Sequence, residues 1–293
     1  MADDLIDESP KGRTYTWIDR LTAHLDLVYK PPKGTALLPI HAEMVQSYIN
    51  KKFAASDRSA LKLLPTSLLP PDPLYLLLEG FKTDATFQGS QKGLRFPIAS
   101  EERLQEYGTH VAGTVGELCL SLIMRHSSVP LDPAHRREVS LAARRMGIAL
   151  QYVNIARDIA VDAVLGRVYL PTTWLAEQGL TPLRLIEVIT QPPVSGPLVG
   201  DLWQEDLRSV EKLRRRLLEK AFAIYDESRP SMDWLPDESR RPMIVAVESY
   251  MEIGRVLIES EAPSFRTESG RPSRATVPKA RRLMVALRAL LNA

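Results

Sequence analysis

LQYVNIARDIAVDAVLGRVYLP, residues 150–171, is the segment that indicates the architecture of the whole chain. Asn154, Asp158 and Asp162 recur at every fourth residue, so an α-helix places them on one polar ridge. The residues between them are mostly apolar, which indicates that this helix is substantially buried. Buried carboxylates must be neutralised, and carboxylate and amide oxygens suit a hard cation such as Mg²⁺. The sequence therefore predicts a core helix that carries a metal and phosphate site.

The composition is that of an ordinary globular protein with a large core. The chain has 293 residues, of which 44% are hydrophobic and 25% charged, and its formal net charge is +2. This near-neutral balance gives no reason to expect a nucleic-acid partner. Cys119 is the only cysteine, which excludes an intrachain disulfide and fits a reducing compartment.

Targeting signals are not evident in the sequence. The sequence contains no uninterrupted run of about 18 apolar residues, so it predicts no transmembrane helix. The N-terminus is acidic from its third residue, which is unlike a signal peptide. We therefore expect a cytoplasmic protein, or one that associates peripherally with an intracellular membrane.

Helical periodicity dominates the rest of the chain. Apolar residues recur at steps of three or four, and neither a strand-like alternation nor an internal repeat is evident. We expect one all-α domain over residues 1–293. The clearest predicted helices cover residues 100–125, 133–165, 203–228, 239–260 and 279–291. A basic loop rich in Pro, Ser, Gly and Arg is predicted over residues 263–278.

Two glycines lie in the centre of the helix predicted over residues 100–125. Each of Gly113 and Gly116 costs about 1 kcal/mol relative to alanine inside a helix, so close approach of another group is expected. That group is either a neighbouring helix or a long ligand, and the residues alone leave both explanations open.

A second acidic segment lies at the N-terminus. On a helix, Asp3 and Asp7 share one face, as two ligands of a Mg²⁺ ion would. By itself, such a pair of carboxylates is typical of an N-terminus that is exposed to solvent. Together with the ridge at Asn154, Asp158 and Asp162, it predicts two acidic faces that clamp a diphosphate through Mg²⁺. Metal ions take up the charge on a departing diphosphate, while an apolar helical cavity shields the allylic cation.

Several motifs resemble those of the squalene/phytoene synthase family. QYVNIARDIAVD (151–162), followed by GRVYLP (166–171), resembles the second aspartate-rich signature of this family. YGTHVAGTVG (107–116) resembles its other signature helix, and DDLIDE (3–8) matches its first aspartate motif. The short segment LEG (78–80) resembles a further motif, so the likeness extends over essentially the whole chain. VAGTVG and GRVYLP are more similar to the motifs of phytoene synthases than to those of squalene synthases. They are particularly similar to the motifs of the fungal domain fused to a lycopene cyclase.

The resemblance implies both a fold and a reaction. The fold would be a class I isoprenoid synthase bundle, like that of trans-prenyltransferases, around a central cavity. The reaction would join two molecules of geranylgeranyl diphosphate head to head, through prephytoene diphosphate, to give phytoene. The resemblance implies Mg²⁺, or Mn²⁺ in its place, and no NADPH. It also implies fusion to a lycopene cyclase domain and peripheral membrane association.

The same resemblance assigns roles to individual residues. The implied metal ligands are Asp3, Asp7, Asn154, Asp158 and Asp162. The implied contacts to diphosphate, or to the carbocations, are Asp4, Gln151, Arg157, Arg167, Tyr169 and Arg274. Gly113 and Gly116 would line the cavity for the prenyl chains.

Structural alternatives exist for several of these side chains. Arg157 could simply neutralise Asp158, and Arg167 and Tyr169 could hold the loop that follows the helix. Tyr107 and Tyr250 are interpreted as packing in the cavity wall.

Other functions also fit parts of the pattern. A squalene-type synthase would use farnesyl diphosphate and NADPH, and the Asn-x3-Asp-x3-Asp spacing alone would fit a terpene cyclase. The resemblance further implies helices before the first aspartate motif, so the chain is expected to be truncated at its N-terminus. An inactive truncated form, or a relative that acts as an assembly factor, is the remaining alternative.

Overall fold

A computed structural model describes residues 11–31, 39–87, 95–127, 131–191, 197–260, 265, 274 and 276–291. Within these ranges the regular structure is entirely helical, which confirms the predicted all-α fold. The α-helices are α1 (Lys11–Tyr29), α2 (Pro39–Lys52), α3 (Ala55–Leu63), α4 (Pro71–Phe87), α5 (Glu101–Gly108), α6 (Thr114–His126), α7 (Pro133–Val164), α8 (Thr172–Glu177), α9 (Pro182–Thr190), α10 (Pro197–Ser228), α11 (Asp237–Glu259) and α12 (Lys279–Leu291).

The central helix is α7, which carries the ridge predicted from the sequence. It begins after Asp132, whose carboxylate accepts a hydrogen bond of 3.1 Å from the backbone N–H of Ala134. Pro133 occupies the first turn, where a missing N–H costs nothing. Beyond the last turn, Gly166 has a φ of 72°, which favours glycine and turns the chain into the GRVYLP segment.

Two hydrophobic cores meet at α4. The larger core surrounds α7 and includes contacts with α6, α10 and α11. The smaller core joins α1 to α4 and contains Ile18, Phe53 and Phe81. Phe81 belongs to the smaller core and Phe87 to the larger one, so α4 lies between them. Asp84, between these two phenylalanines on α4, is therefore held inside the protein.

The glycine-rich helix is less regular than the sequence indicates. Instead of one continuous helix, α5 and α6 are joined by a π-helical turn, Thr109–Gly113. A Cβ placed on Gly116 would lie 2.2 Å from the carbonyl oxygen of Ala143, and one on Gly147 would lie 2.2 Å from that of Ala112. The backbones of this region and α7 are therefore in direct contact, which supports the packing explanation for these glycines.

The described helices provide no membrane-spanning segment. None of them combines the length and the apolar content that crossing a bilayer requires.

Candidate active site

An apolar cavity of about 360 Å³ lies between the glycine-rich region, α7 and α11. Its lining includes Val115, Gly116, Leu120, Met146, Met232 and Val247. Gln151 of α7 and Tyr250 of α11 also line it and introduce polar atoms. Such a cavity suits a hydrocarbon chain, with polar atoms supplied from the side of α7 that carries the ridge.

The α7 polar cluster consists of Asn154, Arg157, Asp158, Tyr250 and Arg274. The Tyr250 hydroxyl donates to Asn154 Oδ1 over 2.9 Å, which links the cavity wall to the ridge. Arg157 Nε donates to Asp158 Oδ1 over 2.8 Å and its Nη2 to Oδ2 over 2.7 Å. Arg157 Nη2 also donates to Asn154 Oδ1.

Arg274 completes this cluster from a distant part of the sequence. Its Nε donates to Asp158 Oδ1 over 2.7 Å, and its Nη2 donates to Oδ2 over 2.9 Å. The Asp158 side chain is only 8% exposed, whereas that of Arg274 is 54% exposed. Two guanidinium groups on one carboxylate leave an excess positive charge, which favours an anionic ligand.

Charge and burial act differently on Arg157 and Tyr250. The hydrogen bond to Asp158 raises the pKa of Arg157, although burial opposes this. Burial raises the pKa of Tyr250, and the charge of Arg157 opposes that increase. The cluster therefore presents a charged Arg157 guanidinium beside a neutral Tyr250 phenol at physiological pH.

The buried tyrosine cluster is a second polar group, formed by Asp84, Tyr107 and Tyr169. The hydroxyls of Tyr107 and Tyr169 donate to Asp84 Oδ1 over 2.8 and 3.0 Å. The two rings stack with centroids 5.2 Å apart, and Phe87 packs 4.7 Å from Tyr169. Burial, followed by the Asp84 charge, raises the pKa of both tyrosines well above the ordinary value. Both phenols therefore stay protonated.

Asp162 lies on the side of α7 that faces this second cluster. It lines a small cleft with Arg167 and Tyr169. The charge of Asp162 raises the pKa of Tyr169, and the charge of Arg167 lowers it, so both charges lie close to the phenol. The ridge predicted from the sequence therefore connects two environments, with Asp158 at one and Asp162 at the other.

The structure locates the other predicted site residues as follows. Gln151 and Gly116 line the cavity, whereas a Cβ on Gly113 would meet Arg144 of α7 at 3.0 Å. Asp3, Asp4 and Asp7 lie outside the described residues, as does most of the predicted basic loop.

Sequence reasoning missed Asp84. The available signal was an acidic residue on an apolar helix face, three residues after Phe81 and three before Phe87. A carboxylate at such a position needs buried donors, which here come from Tyr107 and Tyr169.

The residues of the ridge fit Mg²⁺ by their donor chemistry. Asn154, Asp158 and Asp162 all offer side-chain oxygens, the ligand type that Mg²⁺ prefers. In the part of the chain that the structure describes, however, no three acidic, histidine or cysteine side chains form a metal-binding group. A metal at this ridge would therefore need further ligands, from a diphosphate or from outside the described residues.

Comparisons with known proteins agree on one family. The family model for squalene/phytoene synthase matches residues 1–281. The chain is 47% identical to a bifunctional lycopene cyclase/phytoene synthase of Neurospora crassa, with 99% of this chain and 46% of that protein aligned. It is 45% identical to the Podospora anserina protein of the same name, covering 100% of this chain and 46% of the relative. The chain thus spans about half the length of these curated relatives.

A solved structure shows the same fold. A dehydrosqualene synthase in complex with a ligand superposes with a TM-score of 0.59 at 18% sequence identity. The superposition covers 95% of this chain and 85% of that structure. This likeness identifies the helical bundle as the squalene synthase fold.

Proposed function

The chain belongs to the squalene/phytoene synthase family, and we propose that it condenses two molecules of geranylgeranyl diphosphate head to head. The product would be phytoene, formed through prephytoene diphosphate. The proposal is carried by the continuity between the apolar cavity and the α7 polar cluster. Tyr250 belongs to both, because it lines the cavity and donates to Asn154.

Diphosphate binding is proposed for the α7 polar cluster. Arg157 and Arg274 would exchange part of their contacts with Asp158 for diphosphate oxygens, since guanidinium groups bind both anions in the same bidentate manner. Arg274 is half-exposed, so it can move with little loss of packing. Gln151, at the cavity wall, would orient the substrate by hydrogen bonding.

Metal binding is proposed for the oxygens of Asn154, Asp158 and Asp162, with Asp3 and Asp7 as the opposing ligands and Asp4 beside them. Mg²⁺, when bound, supplies positive charge that stabilises the departing diphosphate. The chain's own apolar residues then keep water away from the allylic cation.

The buried tyrosine cluster is proposed to orient the segment after α7. Asp84 holds the Tyr169 hydroxyl, and Tyr169 lies two residues after Arg167, a proposed diphosphate contact. Because Tyr169 stays protonated, its hydroxyl remains a donor to Asp84 and keeps this segment in place.

The likeness to bifunctional relatives supports two further proposals. The chain would correspond to the phytoene synthase part of such a protein, with a lycopene cyclase domain in the remainder. Because the proposed product forms without reduction, no NADPH would be consumed.

A product assay tests the proposed function. The purified chain is incubated with geranylgeranyl diphosphate and Mg²⁺, and the extracted hydrocarbon is identified by chromatography and mass spectrometry. We expect phytoene, in the same amount with and without NADPH. Parallel reactions contain farnesyl diphosphate with and without NADPH. Squalene formed only with NADPH would contradict the proposal and support a squalene-type synthase. A folded chain that gives no hydrocarbon from either substrate would contradict it in favour of a non-catalytic relative.

A further inference from the structure

Arg274 contacts the α7 polar cluster although more than half of its side chain is exposed. The exposed fraction is 54%, whereas that of the Asp158 side chain that accepts its two hydrogen bonds is 8%. An exposed arginine has many rotamers, and ordering it on one carboxylate costs conformational entropy. The contact therefore depends on how closely the backbone at residue 274 is held to α7.

The chain that follows Arg274 is held by the first turn of α12. Val277 is buried, and its carbonyl oxygen accepts a hydrogen bond of 3.5 Å from Arg282 Nη2. The backbone N–H of Arg282 donates to the carbonyl oxygen of Pro278 over 2.9 Å. Because each residue spans at most about 3.6 Å, the Cα atoms of Arg274 and Val277 lie no more than about 11 Å apart. The position of Arg274 is thus tied to that of the start of α12.

Arg281 attaches this first turn to α11. Its Nε donates to Glu252, and its Nη2 donates to Glu259 Oε1 over 2.8 Å. The Glu252 side chain is only 6% exposed, and it also accepts from Arg255 Nη1 over 2.9 Å. Glu252, Arg255 and Glu259 are spaced by three and four residues, so they share one face of α11. Arg281 is therefore held by a buried carboxylate and by an exposed one.

Helix α11 connects this attachment to the candidate active site. It contacts both α7 and α12. Tyr250 belongs to the α7 polar cluster, and Glu252, which accepts from Arg281, comes two residues later on α11. Positions two apart on a helix point in nearly opposite directions, so α11 meets α7 on one side and α12 on the other. A shift of α12 along α11 would therefore displace Arg274 and leave Tyr250 in place.

We propose that Arg281 is a positioning residue for the candidate active site, because its ion pairs with Glu252 and Glu259 hold Arg274 at Asp158. This inference rests on the proposed role of Arg274 in diphosphate binding. Loss of the ion pairs lowers the fraction of molecules in which Arg274 reaches the cluster. The apparent affinity for diphosphate falls in proportion to that fraction. Arg281 needs no contact with the ligand for this effect.

Arginine labelling tests the position of Arg274 without a ligand. The purified 293-residue chain is treated with phenylglyoxal, and labelling of each arginine is followed by peptide mass spectrometry. We expect Arg281→Gln to increase the labelling rate of Arg274 severalfold, because its guanidinium group is released from Asp158. Labelling of Arg208, at an exposed position on α10, should stay the same. An unchanged rate at Arg274 would overturn the proposal.

Arg288→Gln is the matched control. Arg288 lies on the same helix and lines the same cleft between α11 and α12, but it forms no ion pair with the described residues. Its substitution removes the same charge from α12. We expect Arg274 to be labelled as in the unmodified chain. A rate increase equal to that in Arg281→Gln would assign the effect to the lost charge and overturn a specific role for Arg281.

A double-mutant cycle tests whether Arg281 acts through Arg274. Calorimetric titration with inorganic diphosphate and Mg²⁺ compares the unmodified chain, Arg274→Gln, Arg281→Gln and the double variant. We expect Arg281→Gln to weaken binding by about fivefold, and to cause no further loss when it is added to Arg274→Gln. Losses that multiply in the double variant would overturn the proposal, because Arg281 would then act independently of Arg274.

The two measurements separate this proposal from the proposed function. If Arg281→Gln speeds the labelling of Arg274 but leaves the affinity unchanged, Arg281 positions Arg274 and the diphosphate role of Arg274 is contradicted. Thermal unfolding is followed for every variant. If Arg281→Gln melts early, Glu259→Gln replaces it and is read by the same criteria. That variant removes only the exposed partner of Arg281 and keeps the pair with Glu252.

Discussion

The two carboxylates at the candidate site differ in the donors that the structure shows for them. Asp158 accepts from two guanidinium groups, one of which is half-exposed, whereas Asp84 accepts from two phenols inside the core. Guanidinium groups can transfer from a carboxylate to a diphosphate without losing hydrogen bonds. The phenols of Tyr107 and Tyr169 are buried and already donate to Asp84. The first arrangement therefore suits binding, and the second suits fixed geometry.

The largest expected effect is that of Asp158→Asn on turnover. The amide keeps the shape of the side chain but removes the charge that would hold Mg²⁺ and balance Arg157 and Arg274. We expect kcat for condensation to fall by about a thousandfold, the size of effect that follows the loss of one key electrostatic group. Steady-state assays with geranylgeranyl diphosphate measure it. Asp237→Asn, at an exposed carboxylate on α11, is the control and should retain full turnover. Near-normal turnover in Asp158→Asn would contradict the metal assignment.

The next effect concerns stability, for which we expect the substitution of Asp84 to cost more than the substitution of Asp158. Asp84→Ala leaves two buried hydroxyls without their acceptor, so we expect the free energy of unfolding to fall by about 2–4 kcal/mol. Asp158→Ala should cost less, about 1–2 kcal/mol, because the half-exposed Arg274 can regain water while Arg157 keeps its bond to Asn154. Urea unfolding measures both values. Asp84→Asn retains an acceptor and should lie between them. Equal losses at the two positions would contradict the distinction drawn between the clusters.

Local patterns predicted the parts of this structure that are encoded within one helix. The spacing of Asn154, Asp158 and Asp162 is a property of α7 itself, so the sequence identified the ridge. Periodicity also predicted helices over residues 133–165 and 239–260, and the observed helices α7 and α11 end within a few residues of these bounds. The all-α class follows from such local signals.

Contacts between distant segments were beyond the reach of these patterns. Asp84, Tyr107 and Tyr169 come from three separate segments, and no spacing rule relates them. The two contacts of Arg274 with Asp158 likewise join positions 116 residues apart. The resemblance indicated Arg274 as a phosphate contact, but only the packed structure shows which carboxylate it meets.

The third expected effect separates the two arginines that share Asp158. Arg274→Gln should weaken the binding of magnesium diphosphate by about tenfold, because one charge-assisted pair is lost. Its half-exposed position predicts little change in stability. Arg157→Gln should weaken binding too, but it should also lower stability, since Arg157 bonds to Asn154 and Asp158 within the bundle. Calorimetric titration measures the affinity of both variants for magnesium diphosphate, and urea unfolding measures their stability. Arg208→Gln, at an exposed position, is the control. Unchanged affinity in Arg274→Gln would contradict its proposed role.

The smallest effect near neutral pH should come from the tyrosines of the buried cluster, whose pKa values are raised by burial and by Asp84. Their contribution to stability is complete below the pKa of an unfolded tyrosine, about 10. Above that pH the unfolded phenols ionise while the folded ones stay protonated. Each tyrosine should therefore remove about 1.4 kcal/mol of stability per pH unit. Tyr107→Phe should reduce this slope in urea unfolding series above pH 10, and Tyr15→Phe, at an exposed position on α1, should leave it nearly unchanged. If Tyr107→Phe leaves the slope unaltered, the phenol must ionise in the folded protein as readily as in the unfolded one. The distinction between the buried tyrosine cluster and the α7 polar cluster would then fail.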